Sequence, residues 1–179
     1  MKKVLKVLGI LLLGILAIGL VLMFILGKEY HYEKSILINA PKEKVYQYIS
    51  SSKGINQWNP WMDLDPNIKV NYFGNQGQVG DKYCWVGNDD VGEGCQEIVE
   101  LNPNESQKTK MTFYKPFESI AYSNVKLATE DSNTKVTWTL DCDIDYPMNI
   151  MKLFMDGQMD KSYGKGLDKL KAITESQQY

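Results

Sequence analysis

Few side chains in this sequence have the types and spacing for acid–base or nucleophilic chemistry. Glu93, between Gly92 and Gly94, is the carboxylate to watch: glycines on both sides allow close backbone approach, and a buried glutamate there would have a raised pKa suited to proton transfer. The simpler reading of the same three residues is a twisted or bulged strand with Glu93 in water. Tyr83, Tyr122 and Asp63 are further polar candidates. His31 is the only histidine and lies five residues beyond a long apolar run. A Ser-His-Asp or Cys-His arrangement, or a zinc site shared with three scattered cysteines, has little support there. Asp141-Cys142-Asp143-Ile144-Asp145 begins like a calcium loop, but Tyr146 stands where glycine is needed and Lys152 where the bidentate glutamate belongs. On a strand these aspartates share a solvated face with Thr137 and Thr139, opposite Val136, Trp138 and Leu140. No metal and no cofactor is expected.

The cysteines allow a different chemistry. If the turn after Val86 is centred between Asp89 and Asp90, Cys84 and Cys95 lie directly opposite on adjacent strands, within reach of a disulfide. One residue of slip puts them on opposite faces. Cys142 then remains unpaired on the Trp138 face.

These residues need a scaffold, and hydropathy patterning supplies one. Residues 30–39 alternate as a strand, and Asn39-Ala-Pro41 opens a helix with Val45, Tyr48 and Ile49 on its buried stripe. A second short helix runs from Ser52 to Trp58 and stops at Pro60. Six period-two segments follow, at 68–73, 81–86, 92–101, 107–114, 119–128 and 134–143, with turn residues between them. From Pro147 a long helix carries Met148, Met151, Met155, Met159, Gly166, Leu170 and Ile173 at helical spacing. Its methionines are expected to be buried, as core or as the adaptable wall of a cavity. Gly157, Gly164 and Gly166 each cost roughly 1 kcal/mol against alanine in a helix, so close packing against another element is expected to compensate. A strongly curved antiparallel sheet of seven strands wrapping that helix satisfies this order and leaves an internal space.

The N-terminus is separate from that scaffold. Val7 to Leu26 is an unbroken run of 20 apolar or glycine residues, and about 20 is the length that crosses a bilayer as a helix. A cleaved signal has a shorter apolar region and a small-x-small site, which Ile25-Leu-Gly-Lys-Glu does not offer. Residues 1–27 read as a transmembrane anchor and 28–179 as one domain. Lys2, Lys3 and Lys6 keep the N-terminus in the cytoplasm and the domain outside the cell membrane. Gly9, Gly14 and Gly19 are five apart, so they form no Gly-x-x-x-Gly face. All 20 basic residues are lysine, against 22 acids. An acidic domain without arginine is a poor nucleic-acid partner.

Several pieces in order resemble the START-like, helix-grip (SRPBCC) superfamily, which includes polyketide cyclases, dehydrases and lipid-transport domains. They are Ile38-Asn-Ala-Pro41, Trp58-Asn-Pro-Trp61 with Asp65-Pro66, Trp85-Val-Gly with Gly92-Glu-Gly94, Phe113-Tyr-Lys-Pro-Phe117, Lys135-Val-Thr-Trp138 and Gly164-Lys-Gly-Leu-Asp-Lys-Leu170. The resemblance spans 34–175 and implies an α+β helix-grip fold holding an apolar molecule in a deep cavity, with catalysis in only some members. The expected ligand contacts are Trp58, Trp61, Tyr83, Trp85, Phe113, Tyr122, Trp138, Met151 and Met155. Trp58 is expected to anchor the short helix at the cavity mouth and Trp61 to cap the same opening, since tryptophan suits an edge dry on one side and wet on the other. Two rings plugging one end of the core is the alternative. Three functions stay open: a carrier or binder of a hydrophobic small molecule or lipid, a cyclase/dehydrase-like or hydrolytic enzyme using Glu93 or a tyrosine, and a protein-binding module.

Overall fold

The computed structural model describes residues 2–176. Helix α1 (Lys2–Leu26) is long and apolar enough to cross a membrane, and none of its apolar window is buried against the rest of the chain. A helix end leaves its last carbonyls without partners, and here the domain supplies them. Asn149 Nδ2 donates to Met23 O (2.6 Å) and Gly27 O (2.8 Å), and Lys152 Nζ donates to Leu26 O (2.7 Å). Gly27, at φ +61°, turns the chain out of the helix.

The sheet has seven antiparallel strands in the order β1-β7-β6-β5-β4-β3-β2. They are β1 (Glu29–Ile38), β2 (Lys69–Phe73), β3 (Lys82–Val86), β4 (Glu93–Asn102), β5 (Ser106–Lys115), β6 (Ser119–Glu130) and β7 (Asn133–Asp143). Hairpin turns join β2 through β7, so the long connection runs from β1 across to β2. That connection contains α2 (Lys42–Ile49), α3 (Ser52–Ile55) and a 3-10 turn at Pro60–Asp63. The second helix is shorter than the sequence suggests, because Asn56 to Trp58 form turns before Asn59 caps the 3-10 segment through Trp61 N. The long helix also starts later: Met148–Met151 is a 3-10 turn and α4 runs Lys152–Glu175.

Helix α4 lies in the grip of the sheet. Tyr30 Oη donates to Asp156 (2.9 Å) and Tyr32 Oη to Asp160 (3.0 Å), tying its first half to β1. Its second half packs Tyr163, Leu167 and Leu170 into a core with Ile38, Val45, Ile49, Trp58, Ile98, Val125, Val136 and Trp138. Gly166 explains itself there, since a Cβ would meet Trp138 Cζ3 at 2.8 Å and Pro60 Cδ at 3.1 Å. Gly157 has nothing within 4 Å, so the expected compensation is absent at that position.

Cys84 lies opposite Cys95 in the β3–β4 register and the two are bonded. Their parity puts them on the convex side, away from Tyr83 and Trp85. The bond closes a short loop, so replacing both with serine is expected to cost roughly 2–4 kcal/mol. Chemical unfolding of the double variant, beside non-reducing peptide mapping of the parent, checks this.

Candidate ligand cavity

Residues of β3 to β7, the turns between Ile55 and Met62 and the first half of α4 border a cavity of about 1580 Å³. Curvature creates it, and glycines permit the curvature. The β4–β5 register slips between Glu93 and Gly94 and again between Ile98 and Glu100, and such bulges bend a strand. Gly92 sits at φ +69°, where a Cβ would stand 2.3 Å from Lys115 O. A Cβ on Gly94 would meet Thr112 O at 2.6 Å and Trp85 Cζ2 at 2.7 Å. The glycines therefore seat the bulge and the Trp85 ring. Glu93 is not part of the cavity lining; its carboxylate pairs with Lys115 Nζ at 2.9 Å. Of the two readings of Glu93 the structure has the outward one: by plain alternation it shares the face of Val86, opposite to that of Trp85, Gly94 and Gln96.

All nine expected contacts border the cavity, eight of them in two aromatic groups and one helical one. In the first group Trp138 is central. It stacks on Tyr163 (centroids 3.9 Å apart) and meets Trp58 edge-on at 4.8 Å and Trp61 at 6.0 Å. Its indole N–H donates to Ser123 Oγ at 2.7 Å, and that of Trp58 to Tyr48 O at 3.0 Å. The second group is Tyr83, Trp85 and Phe113, with neighbouring centroids 5.7 and 5.8 Å apart. Tyr122 belongs to neither. Its ring turns to the convex face, where Lys108 Nζ stands 5.2 Å from the centroid.

The cavity has one open end. Glu29 of β1 pairs with Asp143 of β7, Ala121 of β6 with Cys142, Phe113 of β5 with Ser119, and Glu93 of β4 with Lys115. Those residues, the start of α4 and the exit of α1 therefore share one edge of the domain. The lining reaches that edge at Phe117, Ile120, Asp143, Met148 and Met151. Trp58 and Trp61 lie toward the other end, beside Pro60 and Gly166. Trp58 is only 1% exposed, so the pair closes the inner end and does not guard the mouth as expected. The methionines are displaced in the opposite sense. Met148 and Met151 are exposed, because the 3-10 turn before α4 overhangs the open edge, while Met155 and Met159 are half-buried deeper in the cavity.

Inside, the polar groups are neutral. Asn59 Nδ2 donates to Tyr83 Oη (3.1 Å), Tyr83 Oη to Gln96 Oε1 (2.9 Å), and Gln96 Nε2 to Thr109 Oγ1 (3.1 Å). Burial pushes the Tyr83 phenol well above its ordinary pKa, against the opposing effect of the Asn59 hydrogen bond, so it stays a donor. Burial does the same to Tyr163. Gln107 is the exception to this satisfaction: 2% exposed and in the lining, its Nε2 finds no hydrogen-bond acceptor in the protein. Reading the residues missed Gln107, although its inward parity with Thr109, Met111 and Phe113 on β5 was available.

The remaining candidates stand elsewhere. Asp63 bridges the 3-10 turn to α4 through Lys165 and Lys169, both at 2.9 Å, and these ammonium groups hold its carboxyl below the usual range. His31 Nδ1 lies 2.6 Å from Asp141 Oδ1 at the rim, an exposed pair on the outer strand face. Cys142 is half-buried with a free thiol raised by burial. Among the described residues no cluster of three His, Cys, Asp or Glu side chains is arranged to hold a metal ion.

Solved structures share this fold at low identity. A Thermus thermophilus protein matches with a TM-score of 0.61 at 15% identity, over 84% of this chain and all (100%) of that one. A Nitrosospira multiformis protein gives 0.58 at 22%, over 83% and 100%, and a Chromobacterium violaceum protein 0.56 at 16%, over 81% and 96%. No curated protein matches the sequence. The sequence profile described as "polyketide cyclase / dehydrase and lipid transport" matches residues 30–175, which takes in nearly all of the sheet and all of α4. With its helix-grip architecture, this chain belongs to that family.

Proposed function

We propose that this protein is a membrane-anchored binder or carrier of a hydrophobic small molecule or lipid, held in the cavity without covalent chemistry. One observation carries the reading: an apolar, aromatic-walled cavity whose lining includes a buried donor with no acceptor in the protein, Gln107 Nε2. A buried donor without a partner costs about 1–3 kcal/mol, and a ligand bearing a carbonyl, carboxylate or hydroxyl oxygen removes that cost. The ligand is thus an apolar body with at least one acceptor oxygen. The histidine and carboxylates that border the space, His31 and Asp141 among them, belong to its rim. The interior offers neutral polar groups only, which suits holding a molecule better than converting it.

The anchor reading is supported by the length of the apolar run in α1. Lys2, Lys3 and Lys6 favour an N-terminus in the cytoplasm and a domain on the far side of the cell membrane, and the Cys84–Cys95 bond suits an oxidising compartment. The test is to incubate the full chain with a lipid extract, re-isolate it and weigh what it retains by mass spectrometry. Retention of an unaltered extract component is expected. Recovery of a chemically changed component would replace this reading with an enzyme.

A further inference from the structure

The edge of the domain that carries the cavity mouth presents large apolar side chains that the rest of the chain leaves uncovered. Phe117 (68% exposed), Ile120, Met148 and Met151 line the mouth itself, and exposed Leu153 and Phe154 (77%) follow on the first turn of α4. Phe117 comes from the β5–β6 turn and Ile120 from the start of β6; Met148 and Met151 come from the 3-10 turn before α4, and Leu153 and Phe154 from its first turn. An exposed cluster of this kind marks an interaction surface.

Its position identifies the occupant. Asn149 and Lys152, which bind the last carbonyls of α1, closely flank Met151 and precede Leu153 and Phe154. Only Gly27 and Lys28 separate α1 from β1, and two residues reach at most about 7 Å. Lys28 is itself held by Asp145 at 2.6 Å. The edge of the domain that carries the mouth is therefore clamped to the end of the apolar helix, with no linker to lift it away.

Resting on the anchor reading above, we infer that Phe117, Ile120, Leu153 and Phe154 insert into the same bilayer that α1 spans, so that the cavity opens onto lipid and exchanges its ligand without passing through water. The contact is apolar in origin. Asp89, Asp90, Glu118, Asp143 and Asp145 line this end of the cavity with Lys115, and Lys28 and Lys152 stand at the exit of α1, so acidic groups outnumber basic ones, and attraction to anionic headgroups does not drive it.

The test uses the full chain in phosphatidylcholine vesicles, with Cys142→Ser as background and a nitroxide at one introduced cysteine. Phe117→Cys and Phe154→Cys probe the rim, Leu16→Cys probes the middle of α1, and Ser132→Cys probes the opposite end of the domain. Collision with oxygen over a water-soluble nickel chelate should be favoured at positions 16, 117 and 154, and the ratio should reverse at 132. Added salt should leave the pattern unchanged. Nickel-favoured collisions at 117 and 154, with 16 still in lipid, would overturn this inference and spare the anchor. Nickel-favoured collisions at 16 would remove the anchor reading and this inference with it. Shielding of 117 and 154 from both reagents would indicate a protein partner over the mouth and also overturn it.

Discussion

Replacing Gln107 with leucine is expected to leave the empty protein as stable as before, or more stable by up to about 1 kcal/mol, while weakening ligand binding about tenfold. The two effects have one cause. Gln107 Nε2 is buried without a protein acceptor, so its removal relieves a desolvated donor in the empty state and deletes the partner of the ligand's oxygen in the bound state. A residue that merely filled the core would show the opposite pairing, with lost stability and unchanged affinity. Urea unfolding together with a binding titration separates the two. An apolar ligand lacking oxygen should bind Gln107→Leu no more weakly than the parent.

Trp58→Ala is expected to cost about 3–5 kcal/mol of folding stability, the range for truncating a fully buried aromatic side chain. The ring packs edge-on against Trp138, donates to Tyr48 O and holds the turn after α3 against the core. Phe113→Ala should behave differently. That ring is half-buried, meets Trp85 edge-on and lines the approach from the mouth, so its loss should lower affinity more than melting temperature. Equal effects of the two variants on stability would contradict the division of the cavity into a closed inner end and an open outer one.

That division is also where reading the sequence stopped. Alternation located all seven strands within a residue or two, because all but the edge strand β2 have one face inside and one outside, and the period is visible locally. The opposition of Cys84 and Cys95 follows from the length of one hairpin. Depth along the cavity has no such local signal. Whether Trp58 or Met151 stands at the mouth depends on the register of strands distant in sequence and on which end of the sheet receives α4. The tryptophans were accordingly expected at the wet edge and lie at the dry one, while methionines expected to be buried overhang the opening. For Glu93 the flanking glycines leave a buried and a solvated reading open, and the solvated one, the simpler, agrees with its plain alternation against Gly94 and Gln96. Gln107 stood in plain alternation on β5, but a lone glutamine draws notice only once its surroundings are known to be sealed.

The claim at the centre of this account is that the space within the grip holds an apolar molecule. The sequence contains four tryptophans, and all of them, Trp58, Trp61, Trp85 and Trp138, border that space. Titration of the full chain with a fatty acid brominated along its acyl chain is therefore the most direct measurement. The account predicts quenching that saturates at a single equivalent per chain and is reversed by the same acid without bromine. Quenching that rises linearly without saturation and is indifferent to the competitor would contradict it.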